Sequence, residues 1–346
     1  SRIYSPIVMH HVNLSGSYYE MGVSYSKELR RRRAGFKLPD YPEKSLKLAR
    51  ECREIVEGFF PEVLDEMRGV AEAADLNYDA LSVMLLTHPQ TQSPPRCSIF
   101  AAKQGNQVWV GRNYDMYYWL AEYVESYFTA PTGGYRSLGQ TDFFIGREDG
   151  VNEKGLGVAM SGMTAYFQPG VAFWIAVRYL LDKCATVEEG VKFLTEAPPH
   201  STITVLLADT TGSMAVVETT PMRTEIRWPE EDFIVSTNHL NHPQMQKIKL
   251  FEPPDSRTRY DTIVEELRNR RSLNEIFLES ILSDHKGLVC SHLDDIGLGT
   301  LWSTVTHLNT LSMWRAEGHP CKNTYKEDNR LREAVKSSIR EADSME

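Results

Sequence analysis

Cys97-Ser98-Ile99-Phe100-Ala101-Ala102-Lys103-Gln104-Gly105-Asn106-Gln107-Val108-Trp109-Val110-Gly111-Arg112-Asn113-Tyr114-Asp115 is the stretch that decides the fold. It holds two apolar runs separated by Gly105-Asn106, a pair that supplies the positive φ angles of a two-residue hairpin turn. That turn fixes the register. Cys97 falls opposite Tyr114, Arg112 lies diagonal to the cysteine on the same face, and Asp115 sits one step beyond. A thiol, a guanidinium and a carboxylate therefore meet at the open end of one hairpin.

The regime changes at Cys97. Upstream, residues 7–14 read as a short strand, and Ser15 or Ser17 caps a helical pattern over Tyr18–Arg33. A helix-rich region from Tyr41 to Ala74 breaks at Pro61, and Asn77 opens a further helix to Leu86. The polar, proline-rich linker from Thr87 to Arg96 predicts an extended, exposed loop that is easily cut. Downstream, strands are predicted over 142–147, 156–160, 202–209, 213–219, 224–227, 233–236, 301–307 and 310–315. Paired helices over 171–184 and 186–196, then 256–270 and 273–282, interrupt them, and a charged tail from Tyr325 predicts a terminal helix. Strands alternating with pairs of helices suit two packed sheets with helices outside, an α+β sandwich.

Composition sets the outer bounds. The 346 residues carry a net charge of −9, which argues against nucleic acid as a partner. The basic run Lys27–Arg33 reads as a solvated helix face. No stretch is long and apolar enough for a membrane span, and the N-terminus lacks a signal-peptide core. Five irregularly spaced cysteines without a CxxC indicate neither a disulfide framework nor a zinc site, so a reducing, cytoplasmic setting and no metal or cofactor are expected.

A cysteine opening a buried strand is usually a small hydrophobe. Three features set Cys97 apart: the proline-rich loop before it, its Arg112 and Asp115 neighbours, and the helix-to-strand switch. With these, the sequence resembles the N-terminal-nucleophile hydrolases of the choloylglycine hydrolase and isopenicillin N acyltransferase type. The likeness rests on Cys97-Ser98-Ile99-Phe100 with Gly111-Arg112-Asn113-Tyr114-Asp115, on Asp149–Leu156, and on the hairpin Leu206–Glu218. Ser236-Thr237-Asn238, Ser256–Tyr260, Gly16–Gly22 and Glu66–Glu72 extend it over nearly the whole chain.

The resemblance implies a four-layer αββα sandwich over 97–346, preceded by a helix-rich segment 1–96, with self-cleavage between Arg96 and Cys97. The new α-amine, with an ordinary pKa of about 7.7–8.0, would serve as base to the Cys97 thiol, so no histidine is required. Cys97 would attack an amide or acyl-thioester carbonyl of a small acyl substrate, Asp115 would hold the amine, and Arg112 would favour the thiolate. Asn238 would donate its amide to the oxyanion and Arg259 would shape the pocket, although Arg257, two residues earlier, offers the same chemistry. Where bile-salt-type members carry an asparagine, this chain has Ser161-Gly162-Met163-Thr164, so Thr164 or the backbone would complete the oxyanion site. Tyr114 and Tyr118 belong to an aromatic group that would line an acyl pocket or simply pack the core. Two alternatives stand beside this: an uncleaved, silent member that binds an acylated molecule or a protein, and a cysteine–histidine enzyme using His88, His239 or His307. Hydrolysis against acyl transfer, and self-association into a homo-oligomer, are left open.

Overall fold

The computed structural model describes residues 7–88, 96–142, 144–163 and 165–345. Two large sheets face each other. The first runs in the order β1 (His10–Gly16), β4 (Glu125–Pro131), β5 (Ser137–Thr141), β6 (Asp149–Asn152), β7 (Gly157–Gly162), β8 (Ile203–Ala208), β9 (Met214–Thr219), β10 (Thr224–Arg227). The second runs β11 (Phe233–Ser236), β2 (Arg96–Gln104), β3 (Gln107–Tyr117), β13 (Leu298–His307), β14 (Ser312–Glu317), β15 (Lys326–Asp328), with β12 (His292–Leu293) on β13. All pairs are antiparallel except β1 with β4.

Both faces of the central strands are buried, which is why they read as unbroken apolar runs. Ile99, Ala101, Val108 and Val110 point from the second sheet to Ala159, Leu206, Met214 and Val216 of the first, forming the core between sheets. The alternate residues Phe100, Ala102 and Trp109 face α7 (Ser256–Arg268) and α8 (Glu275–Leu282). On the far side of the first sheet, Val158, Met160, Val205 and Val217 share a core with α5 (Phe173–Lys183) and α6 (Val187–Glu196). The same core takes in α1 (Tyr18–Arg32), α2 (Glu43–Phe59), α3 (Pro61–Ala74) and α4 (Tyr78–Leu86). The layers are thus helix, sheet, sheet, helix, with α9 (Arg330–Met345) alongside.

The N-terminal helices are stitched to the rest by buried polar contacts. Arg178 on α5 pairs with Glu66 on α3 at 2.7 Å, and the Trp174 indole donates to the Leu85 carbonyl at 2.6 Å. Tyr25 donates to Glu125 on β4 at 2.9 Å. Ser17 caps α1 in a capping box with Glu20, as the sequence predicted.

Most predicted elements are present within a few residues. One is not: of the predicted strand 142–147, the described residues are turn and coil, and the strands flanking them are β5 and β6. Its apolar Phe144 and Ile145 are buried against α1 and α5 as a loop, a context that mimics a strand in sequence. The predicted loop at 89–95 lies outside the described residues.

The crossing of α1 and α3 depends on two glycines. A Cβ on Gly22 would overlap the Glu66 carbonyl oxygen, and one on Gly69 would overlap the Tyr19 carbonyl. Gly22→Ala and Gly69→Ala are each expected to destabilise the protein by about 1–3 kcal/mol, because both helices must part to admit a methyl group. Chemical denaturation measures this. Unchanged midpoints for both variants would contradict the close crossing.

Candidate active site

The hairpin register is the one the turn dictates: Cys97 pairs with Tyr114, Ile99 with Arg112 and Arg96 with Asp115. The site straddles the sheet at this end. The Cys97 and Arg112 side chains face the first sheet, whereas Asp115 and Ser98 face the helices. The main-chain nitrogen of Cys97 lies between the two faces.

Arg112 is fully buried and reaches across the sandwich. Its Nη1 donates to Asp149 Oδ2 at 2.7 Å and to the Glu148 carbonyl at 3.0 Å. Its Nη2 donates to the Met160 carbonyl at 2.7 Å and sits 3.5 Å from Cys97 Sγ. The carboxylate that neutralises Arg112 is therefore Asp149, shared with the Trp302 indole at 2.8 Å. An ion pair between Arg112 and Asp115, the plain structural alternative, does not form.

Burial pushes the Cys97 thiol above its ordinary range, and Arg112 only partly offsets this. In the uncut chain the cysteine is a buried thiol rather than a prepared thiolate. Its sulfur contacts the Arg112 guanidinium, and among the described residues no histidine hydrogen-bonds to it. His307 stacks on Trp109 with ring centroids 4.2 Å apart, His239 contacts Ser256 Oγ at 2.7 Å, and His88 packs among Phe167, Phe173 and Trp174.

Strand β11 pairs with β2 only as far as Ser236 opposite Ile99, and the chain then turns inward. Asn238 takes over from the ladder: its Oδ1 accepts the Cys97 N–H at 2.8 Å, a bond that a strand neighbour would otherwise make. Its Nδ2 donates to Ser161 Oγ at 3.2 Å and to the Gly162 carbonyl at 3.1 Å. The amide expected to face an oxyanion here holds the end of β7, and its oxygen faces the Cys97 nitrogen.

Arg259, on the first turn of α7, is the hub. Its guanidinium donates to the Cys97 carbonyl at 2.6 Å, Ser98 Oγ at 3.1 Å, Asn238 Oδ1 at 2.8 Å and Asp255 Oδ2 at 2.8 Å. Asp255 also pairs with Arg96 at 3.3 Å. Arg257 is 62% exposed and pairs with Glu252, so Arg259 is the arginine that reaches the hairpin.

Asp115 is fully buried. Thr300 donates to its Oδ1 at 2.6 Å, whereas Oδ2 has no hydrogen-bond partner among the described residues. Burial raises this carboxyl to about 6, with Arg259 and the Thr300 hydroxyl pulling the other way. A buried carboxylate oxygen without a donor is costly, and an ammonium group would relieve it.

Tyr114 and Tyr118 both belong to the apolar cluster around Cys97. Tyr114 stacks on Trp302 at 4.0 Å, and its hydroxyl donates to Asp142 at 2.7 Å. Burial raises the carboxyls of Asp142 and Glu148, and the charge of Asp142 pushes Glu148 up further. Tyr118 donates to Asp294 at 2.5 Å. Thr164 lies outside the described residues. Beside Arg96 and Asp255 opens a cavity of about 640 Å³, lined also by Pro254, Leu288 and Leu293. Asp149, Ser161, Thr300 and Ser256 were not singled out in the sequence. Asp149, Ser256 and Ser161 had a signal, each as the first residue of a quoted stretch, whereas Thr300 is a single hydroxyl with none.

This sandwich is the N-terminal-nucleophile hydrolase fold. It aligns with a single-site variant of conjugated bile acid hydrolase from Clostridium perfringens at 15% identity and a TM-score of 0.51, covering 67% of this chain and 96% of that one. A second mutant of the same hydrolase aligns at 15% identity and 0.49, covering 68% and 97%. Penicillin V acylase from Agrobacterium tumefaciens aligns at 19% identity and 0.47, covering 64% and 82%. Residues 102–322 match the family described as acyl-coenzyme A:6-aminopenicillanic acid acyl-transferase, and the chain belongs to that family. No curated protein sequence matches it. The protein is thus an enzyme of an acyl-transferase family.

Two expectations follow from the geometry. Arg259→Ala should cost about 3–5 kcal/mol, since it strands Asp255 and Asn238 in the interior, whereas Arg257→Ala should stay within about 0.5 kcal/mol. Urea denaturation of the two variants checks the contrast, and equal losses would contradict the hub. The second concerns pH. The Asp115 carboxyl keeps its proton in the folded state up to about 6, but loses it near ~3.9 when unfolded, so its contribution to stability falls as pH rises between those values. In a Cys97→Ala background, Asp115→Asn should flatten the decline in stability over that window. Identical slopes would refute the assignment.

Proposed function

We propose that the chain cuts itself between Arg96 and Cys97 and then acts as a cysteine N-terminal-nucleophile enzyme on a small N-acyl amide or acyl-thioester. In this reading the divided protein comprises residues 1–96 and 97–346, held together by the buried contacts of α1–α4. The observation that carries the proposal is Asp115 Oδ2, buried at the hairpin end without a hydrogen-bond partner among the described residues, facing the helices at the position register-paired with Arg96.

Hydrolysis of the Arg96–Cys97 bond by water would leave a carboxylate on Arg96 and convert the Cys97 amide into an α-amine in the plane between the thiol face and the carboxylate face. Asp115 would hold that amine as ammonium, and Asn238 Oδ1, already bonded to the same nitrogen, would fix its direction. The neutral amine accepts the thiol proton, and Arg112 stabilises the sulfur anion. The sulfur attacks the acyl carbon, and the amine returns its proton to the departing nitrogen or sulfur. Water, or an acceptor amine, then releases the acyl group. The apolar surroundings of Cys97, with Tyr114, Tyr118 and Trp302, favour an apolar acyl chain. Thr164, as expected from the sequence, would add an oxyanion contact.

One observation favours a second reading, an uncleaved, catalytically silent member that binds an acylated small molecule or a protein partner: Arg96, the residue before the expected cleavage point, is anchored by Asp255.

The experiment incubates the protein with a panel of N-acyl p-nitroanilides and acyl-thioesters and quenches with acid for mass analysis. An acyl adduct on a peptide beginning at Cys97 is expected. Its absence, together with turnover that survives Cys97→Ala, would overturn the proposal. Asp115→Asn should slow turnover by roughly 10²–10⁴-fold through misplacement of the amine.

A further inference from the structure

We infer that His285, Cys290, His292 and Cys321 form a zinc site at the rim of the cavity beside Arg96. Two pieces of chain deliver them. His285 and Cys290 lie on the loop after α8, which folds back through the Cys290 N–H to the Asp284 carbonyl (2.8 Å) and a left-handed Leu288 at φ 63°. His292 lies on the short strand β12, and Cys321 on the turn after β14. Their ligand atoms all lie within 4.8 Å of one another.

The distances suit a common metal better than hydrogen bonds. His292 Nε2 sits 3.3 Å from Cys290 Sγ and 3.2 Å from Cys321 Sγ. One ring nitrogen has one lone pair, so it cannot accept well from two thiols at once. In a tetrahedral zinc site with Zn–S near 2.3 Å and Zn–N near 2.0–2.1 Å, sulfur and nitrogen ligands stand about 3.6 Å apart. The observed separations need only a small expansion around a cation. Two thiolates and two imidazoles select zinc among the abundant divalent ions, and they leave a neutral complex, which suits the buried Cys290. Binding releases the two thiol protons to solvent. His292 also lies within 4.8 Å of Asp294 and His319, which are outside the four-ligand set.

The site also has a structural link to the catalytic end. Cys290 and His292 flank Ser291, whose N–H donates to Thr300 Oγ1 at 3.0 Å, and Thr300 in turn donates to Asp115. Zinc would pin this loop, so the four residues act as positioning residues for Asp115 rather than catalytic ones.

Metal analysis tests the inference without depending on self-cleavage. The full chain and its Cys97→Ala variant are produced with zinc sulfate, dialysed exhaustively and analysed by inductively coupled plasma mass spectrometry. About one zinc per chain is expected in both, falling below roughly a tenth in the Cys290→Ser/Cys321→Ser double variant. Because that variant could lose zinc by misfolding, cobalt(II) is also loaded into the wild-type chain. Intense tetrahedral d–d bands with a thiolate-to-cobalt charge-transfer band are expected. Zinc-free wild-type protein with a weak octahedral cobalt spectrum would overturn the site. So would zinc retained by the double variant, or a Cys290–Cys321 disulfide found by non-reducing peptide mapping.

Discussion

Four hydrogen bonds from one buried guanidinium hold the Cys97 end of the molecule together. Arg259 ties the carbonyl of Cys97, the hydroxyl of Ser98, the amide of Asn238 and the carboxylate of Asp255, and so joins β2, the loop after β11 and the start of α7. A charge with no access to water must satisfy every donor it can, which makes the arrangement of its partners hard to vary. On the other side of the same strand, Arg112 does the equivalent between the sheets, through Asp149 and the carbonyls of Glu148 and Met160. The Cys97 residue is clamped between two immobilised arginines. Within this clamp the second oxygen of Asp255 has Arg96 beside it, whereas Asp115 Oδ2 has no donor among the described residues.

That clamp explains a feature that would otherwise argue against catalysis. A thiol wholly buried and raised in pKa is a poor nucleophile. The same burial makes the unsatisfied Asp115 oxygen expensive, so a positive charge created beside it would be strongly favoured. Under the proposed processing, a single bond cleavage supplies that charge and, with it, a base within reach of the thiol. Burial of the uncut site and reactivity of the cut one are then two consequences of one environment.

How much of this could be read from the sequence differs by the range of the interaction. The hairpin and its register were legible because Gly105-Asn106 fixes the parity of every residue around it, which placed Arg112 beside Cys97 and Asp115 on the next rung. The four layers were legible from the alternation of strand groups and helix pairs. The partner of Arg112 was not, because Asp149 arrives from the opposite sheet and nothing local signals the pairing. Phe144 and Ile145 misled because a buried loop and a buried strand look alike over a short apolar run. Asn238 was located but its orientation was not: a side-chain amide has two faces, and the one turned toward Cys97 depends on Ser161 and Gly162 behind it. The cluster of His285, Cys290, His292 and Cys321 has no recognisable ligand spacing, since tertiary structure alone brings the turn at Cys321 to the other three.

The central claim is that thiol and base come from one residue, Cys97, exposed as a new N-terminus. Intact mass of the purified protein under denaturing conditions, with N-terminal sequencing of each component, tests it most directly. The account predicts two chains, the second opening Cys97-Ser98-Ile99. A single uncut chain that nevertheless turns over amides or acyl-thioesters would contradict it, because catalysis would then proceed without the α-amine.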